Sequence, residues 1–162
     1  MREIKFRGKR IDNGEFICGK LLRISETNQH FISPISSNIY DGEKISGLIK
    51  KFDGQFMIIE TVEVFPKTAG QFTGLLDKNG VEIYEGDIVD MHYFFGNAYA
   101  PDYGVFEDES NVIGVVGINE IGTYTETEDE KHFWLIYLQE PEEELKVLGN
   151  IHENPELLEV EK

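Results

Sequence analysis

The stretch from Gly70 to Met91 constrains this chain most, because it reads as short strands set around two tight turns. The first is Asp77-Lys78-Asn79-Gly80 and the second is Glu85-Gly86-Asp87. Asn and Gly accept the positive φ angles that a tight hairpin requires. The reading is two short strands around the first turn, with a third strand leaving the second. Gly70, Gly74, Gly80 and Gly86 are read as turn and bulge positions. Gln71, Thr73 and Asp87 are read as side chains that satisfy buried backbone rather than as catalytic groups.

The rest of the chain follows the same grammar. Ile4 and Phe6 alternate with Glu3, Lys5 and Arg7, Asp12-Asn13-Gly14 supplies a turn, and Phe16 and Cys18 alternate on the return, which predicts a hairpin. Gly19 inside the return strand suits a bulge or a close backbone approach. Ser25 to Gly47 is turn-rich, with a short strand expected around Phe31, Ile32 and Ile35. Asp53-Gly54 marks a further hairpin, and residues 56–64 read as strand. Ile45, Leu48, Ile49 and Phe52 also fall at helical spacing, so residues 44–52 are open between a helical turn and a strand. Val112 to Ile118 is β-branched. His132 to Leu138 is the strongest apolar run and reads as a central strand, after an acidic loop over 126–131. Pro141 opens at most one helical turn, Leu145 to Ile151 returns to strand, and Asn154-Pro155-Glu156 starts a short terminal helix. Turn signals roughly every 8–12 residues argue for an all-β barrel or sandwich.

A second distinctive block lies near the far end, Leu148-Gly149-Asn150-Ile151-His152-Glu153-Asn154-Pro155-Glu156-Leu157-Leu158. Together with residues 70–91 and the opening Met1-Arg2-Glu3-Ile4-Lys5-Phe6-Arg7-Gly8-Lys9, it makes the chain resemble the YopX family of phage and prophage proteins. The three blocks sit at the start, middle and end. The resemblance implies an all-β fold with a barrel-like or pseudo-barrel core of many short strands and small helical additions, and a family without an established biochemical activity.

With 162 residues the chain suits one domain over 1–162, with room for a small subdomain around 25–66. At about 150 residues a domain buries roughly 68–70% of its extended surface, so its stability needs no metal or disulfide. Cys18 is the single cysteine, which fits a reducing compartment. No apolar run reads as a signal peptide or a membrane span, so the expectation is a protein of the host bacterial cytoplasm, with no membrane partner. Net charge is −16 and unevenly placed. Residues 1–80 hold 12 Lys and Arg against 10 Asp and Glu, whereas residues 81–162 hold 3 against 21, a balance of −18. Such a half is read first as a solvated acidic surface, and alternatively as a face for a basic partner or a decoy of DNA phosphates.

Three chemical signatures fail on inspection. Gly14 to Lys20 has phosphate-loop spacing, but Leu21 stands where magnesium coordination needs Ser or Thr, and the segment alternates like a strand. Asp77 to Gly80 starts like a calcium loop, yet its glycine comes at the fourth position and Ile88 stands where the bidentate glutamate belongs. The histidines at 30, 92, 132 and 152 share no ligand spacing. No catalytic residue, cofactor or metal is therefore assigned.

Two features remain. Lys5, Arg7 and Lys9 share one face of the first strand, read first as answering the acidic half within the fold or across a subunit contact, and alternatively as a stripe suited to phosphate, with Phe6 on the opposite face and no other aromatic evident beside it. Residues 93–106 hold six aromatics in fourteen positions, read first as a loop that folds back to plug one end of the barrel, and alternatively as an interface with Tyr99, Tyr103 and Phe106 as anchors. The resulting expectation is a non-enzymatic protein-interaction module, able to form homo-oligomers. The alternatives are a nucleic-acid-associated β-barrel module and an acidic DNA mimic.

Overall fold

In the computed structural model, residues 4–34, 47–52, 55–94, 109–127, 132–135 and 145–159 are described, those at 47–60, 93–94, 109–110 and 132–134 by backbone alone. Thirteen strands are present among them: β1 Phe6–Lys9, β2 Phe16–Ile24, β3 Gln29–Pro34, β4 Gly47–Phe52, β5 Gln55–Glu60, β6 Val62–Val64, β7 Gly70–Leu76, β8 Glu82–Tyr84, β9 Asp87–Phe94, β10 Glu109–Ile118, β11 Thr123–Glu126, β12 His132–Trp134 and β13 Leu145–Asn150. Two 3₁₀ turns, Pro66–Thr68 and Pro155–Leu158, are the helical additions. The all-β expectation holds, and the sheets of the described residues are antiparallel. The chain divides into two compact units, Met1–Phe72 and Thr73–Lys162.

The first unit is built on the predicted hairpin, with Arg7 opposite Cys18 and Lys9 opposite Phe16. The sheet runs β6-β3-β2-β1 and continues from β1 to the start of β7, where Phe6 faces Gln71. At the far end of β1 it curls back. Arg10 bridges Val64 on β6, Ile11 N donates to the Glu63 carbonyl (3.1 Å), and Phe65 N donates to the Lys9 carbonyl (2.9 Å). This is a barrel-like turn of the sheet, one bridge wide, rather than a fully closed barrel. Its interior holds Ile32 and Val64, both fully buried. Gly8 faces these two, and Gly19 lies against the Ser33 carbonyl and Ile32, the close approach expected at that position. The ambiguous segment is strand over 47–52, paired with β5 from Gly47↔Glu60 to Phe52↔Gln55. Ile35, Ile45 and the Asp53-Gly54 turn lie outside the described residues.

His30, on β3, stands between Arg23 of β2 and Val64 of β6. Burial lowers its affinity for a proton and the Arg23 charge adds to this, while a hydrogen bond to the Pro66 carbonyl opposes them; the net shift is downward. Above the ordinary histidine value of about 6.5 the ring is neutral folded or unfolded. Below it the unfolded chain takes up the proton first, so stability falls with pH until the folded ring also charges. We therefore expect the melting temperature to drop between pH 7.5 and 5.5, and His30→Gln to flatten that drop. Equal slopes for both proteins would contradict the assignment.

The second unit carries a five-stranded sheet in the order β12-β11-β10-β9-β13 and the pairing of β8 with β7. Its core is Ile83, Val89, Met91, Val116, Leu135 and Leu145, with Leu75, Val112 and Val147 packed against it. One expectation is corrected here. Among the described residues the apolar run beginning at His132 is not a central strand: β12 is three residues long and stands last in its sheet, beside β11. Residues 136–144, with the turn expected at Pro141, lie outside the described residues.

Candidate functional site

Four polar residues of the two blocks, Thr73, Asp77, Asp87 and Asn150, are engaged with the main chain. Asp77 is 2% exposed, and both of its oxygens are occupied. Oδ1 accepts from Asn79 N (2.7 Å) and Val81 N (2.9 Å), while Oδ2 accepts from Val147 N (3.1 Å) and Asn79 Nδ2 (3.3 Å). Lys78 N adds a bond to the Leu145 carbonyl (3.0 Å). The turn thus covers the outer edge of β13, which is the last strand of its sheet and a pairing hazard if left bare. Burial pushes the Asp77 carboxyl up, but the bonds from Val81, Val147 and Asn79 outweigh it and hold it below the ordinary carboxylate range.

Thr73 Oγ1 donates to the Ile83 carbonyl (2.8 Å), and Asp87 Oδ2 accepts from Tyr84 N (2.8 Å), so both play the backbone-satisfying part read from the sequence. The two signature blocks also meet. Asn150 pairs with Asp87, Ile151 N donates to the Gly86 carbonyl (3.0 Å), and Asn150 Oδ1 receives His152 N and Glu153 N (3.0 and 3.1 Å). Gly86, at φ 84°, supplies the conformation this junction requires.

The basic stripe is in the first unit. Pleating puts Lys5, Arg7 and Lys9 on the face opposite the buried Gly8, all three half-buried. Strand pairing then brings in aromatic rings that local sequence does not place there. The Lys5 ammonium lies 5.0 Å from the Phe72 ring centre, the Arg7 guanidinium 4.9 Å from that of Phe16, and the Lys9 ammonium 5.9 Å from Phe16 as well. Each is within the ~6 Å range in which a cation is attracted to a ring face. Gly19 opposite Phe6 places the exposed Lys20 beside Lys5 on the same face. Lys9 is anchored at the main chain, its N donating to Thr68 Oγ1 (2.8 Å), with Phe65, 45% exposed, opposite it.

Phe16 and Lys20 were recoverable from the first hairpin, since strand register follows from its turn. Phe72 was not, because it arrives from β7 through long-range pairing. Tyr99, Tyr103 and Phe106 lie outside the described residues. The strands on either side of them pair without interruption to Phe94↔Glu109. Among the described residues no group of three His, Cys, Asp or Glu side chains could hold a metal ion, and no helix is long and apolar enough to cross a membrane.

Comparison with known proteins gives a family and a fold. The family model described as YopX protein matches residues 5–159. Among solved structures, the chain is similar to protein EF1440 from Enterococcus faecalis, with a TM-score of 0.52 and 24% sequence identity over 98% of this chain and 100% of that one. At that identity the likeness speaks for the fold alone. The search of curated proteins returned no match.

Proposed function

This chain belongs to the YopX family, and on that premise we propose that it is a non-enzymatic accessory protein of a phage or prophage, acting by contact with another protein in the host cytoplasm. The observation that carries this reading is the engagement of the signature side chains. Asp77, Thr73, Asp87 and Asn150 all bond to main-chain groups, so the residues that mark the family build a scaffold. Binding residues are then sought on segments that the scaffold holds at both ends. Residues 95–108 are such a segment, tied at Phe94 and Glu109 by the paired strands β9 and β10. Tyr99, Tyr103 and Phe106 supply aromatic groups of the kind that dominate interface energetics.

The test is a titration of the captured partner against purified protein. Replacing Tyr99, Tyr103 and Phe106 together by alanine is expected to weaken binding by at least about thirtyfold, since truncating one hot-spot residue costs about 2 kcal/mol. Unchanged affinity in the triple variant would contradict this assignment of the contact.

A further inference from the structure

From the outer face of the first unit we infer a second, separate activity: binding of single-stranded nucleic acid across β1 and its neighbours. Lys5, Arg7 and Lys9 are spaced two residues apart along one strand, about 6.8 Å per step, which gives a straight row of cations. Lys20 adds a fourth on the adjoining strand. Rings stand on both sides of the row, Phe72 from β7 and Phe16 from β2, each in cation–ring contact with it.

A row of cations flanked by rings on the outer face of a small curled sheet matches what an extended strand offers. Its phosphates follow the charges and its bases stack on rings, without reading sequence. Duplex nucleic acid has its bases already stacked and would use the charges alone. The acidic balance of residues 81–162 opposes any polyanion at long range. The inference uses no residue between 95 and 108, so it stands or falls apart from the protein-contact reading.

The experiment is fluorescence anisotropy of labelled twelve-nucleotide dT and U oligomers with the full chain, over 20–200 mM salt. We expect saturable binding at low salt that weakens with a logarithmic slope of about −2.8, as four contacts to a single strand give. That slope corresponds to a loss of about fiftyfold between 50 and 200 mM. Preference for dT or for U would tell DNA from RNA, and equal binding would place recognition on the shared backbone and base faces; each supports the inference. Lys20→Glu, at an exposed position where folding is not at stake, should lower the slope by about 0.7 and weaken binding several-fold. Phe16→Leu should cost about tenfold, the loss of one stacking surface. Lys78→Glu, the same charge change on the second unit, should do neither. The inference is overturned by absence of binding at 20 mM salt, by equal loss in Lys78→Glu, by equal affinity for duplex, or by a polyglutamate peptide binding as tightly as the oligomers. The last result would assign the face to an acidic protein instead.

Discussion

Replacing Asp77 by alanine is expected to cost the protein about 4 kcal/mol and to lower its melting temperature by roughly 10 °C. The substitution leaves three main-chain N–H groups, of Asn79, Val81 and Val147, without the acceptor they now share. Hydrogen bonds to a charged group are worth ~1.5–3 kcal/mol each, and a buried donor left unmade adds its desolvation cost. Asp77→Asn keeps the size and one acceptor but turns an amide group toward a donor, so an intermediate loss of about 2 kcal/mol is expected. Urea unfolding followed by Trp134, the sole tryptophan, located on β12 of the second unit, reads both changes.

The sign of the pH effect follows from the same bonds. The folded carboxyl lies below its ordinary range, so its stabilisation is complete above the unfolded value near 4 and is lost as pH falls through the folded value. The alanine variant should lack that acid-sensitive component. Because the turn also covers β13, its loss should promote association through the exposed edge, visible as light scattering at a temperature where wild type stays clear. An alanine variant within 1 kcal/mol of wild type would show that the bonds contribute far less than their number suggests.

The second large effect is expected at Gly19. A methyl group there would overlap the Ser33 carbonyl oxygen and lie 2.9 Å from Ile32 Cγ2. The obstacle is the backbone of a strand paired on both sides, by β2 and by β6, so it cannot yield as a flexible side chain would. Overpacking a core costs ~1–3 kcal/mol when side chains can move, and Gly19→Ala should reach the top of that range. Gly80→Ala is the control, since nothing stands within 4 Å of its added carbon and only the φ of 78° is strained. It should cost about 1 kcal/mol. Amide hydrogen exchange over β2 and β3 separates the two: Gly19→Ala should expose these amides, and Gly80→Ala should leave them protected. Equal protection in both variants would mean that the first unit has room at Gly19.

Local chemistry made most of the strands legible. The first hairpin follows from alternation around Asp12-Asn13-Gly14, and β7, β8 and β9 follow from the two turns between Gly70 and Met91. What was not legible depends on partners distant in the chain. Residues 44–52 satisfied helical spacing, and pairing with β5 decides for strand over 47–52. The run from His132 looked central because it is apolar, but apolarity reports burial, whereas position in a sheet depends on which strands lie alongside. Asp77 was readable as a turn residue, yet its bond to Val147 N spans 70 positions and carries no local mark. The candidate face shows the same division. Alternation aligned Lys5, Arg7 and Lys9, and only the pairing of β1 with β2 and β7 revealed Phe16 and Phe72 beside them.

The proposal that this protein works by contact with another protein is tested most directly by capturing a tagged copy from its bacterial host, with and without nuclease, and weighing what remains bound. The account predicts one protein in stoichiometric amount, retained equally in both samples. Bound material that disappears with nuclease, or no stoichiometric protein in either sample, would contradict it.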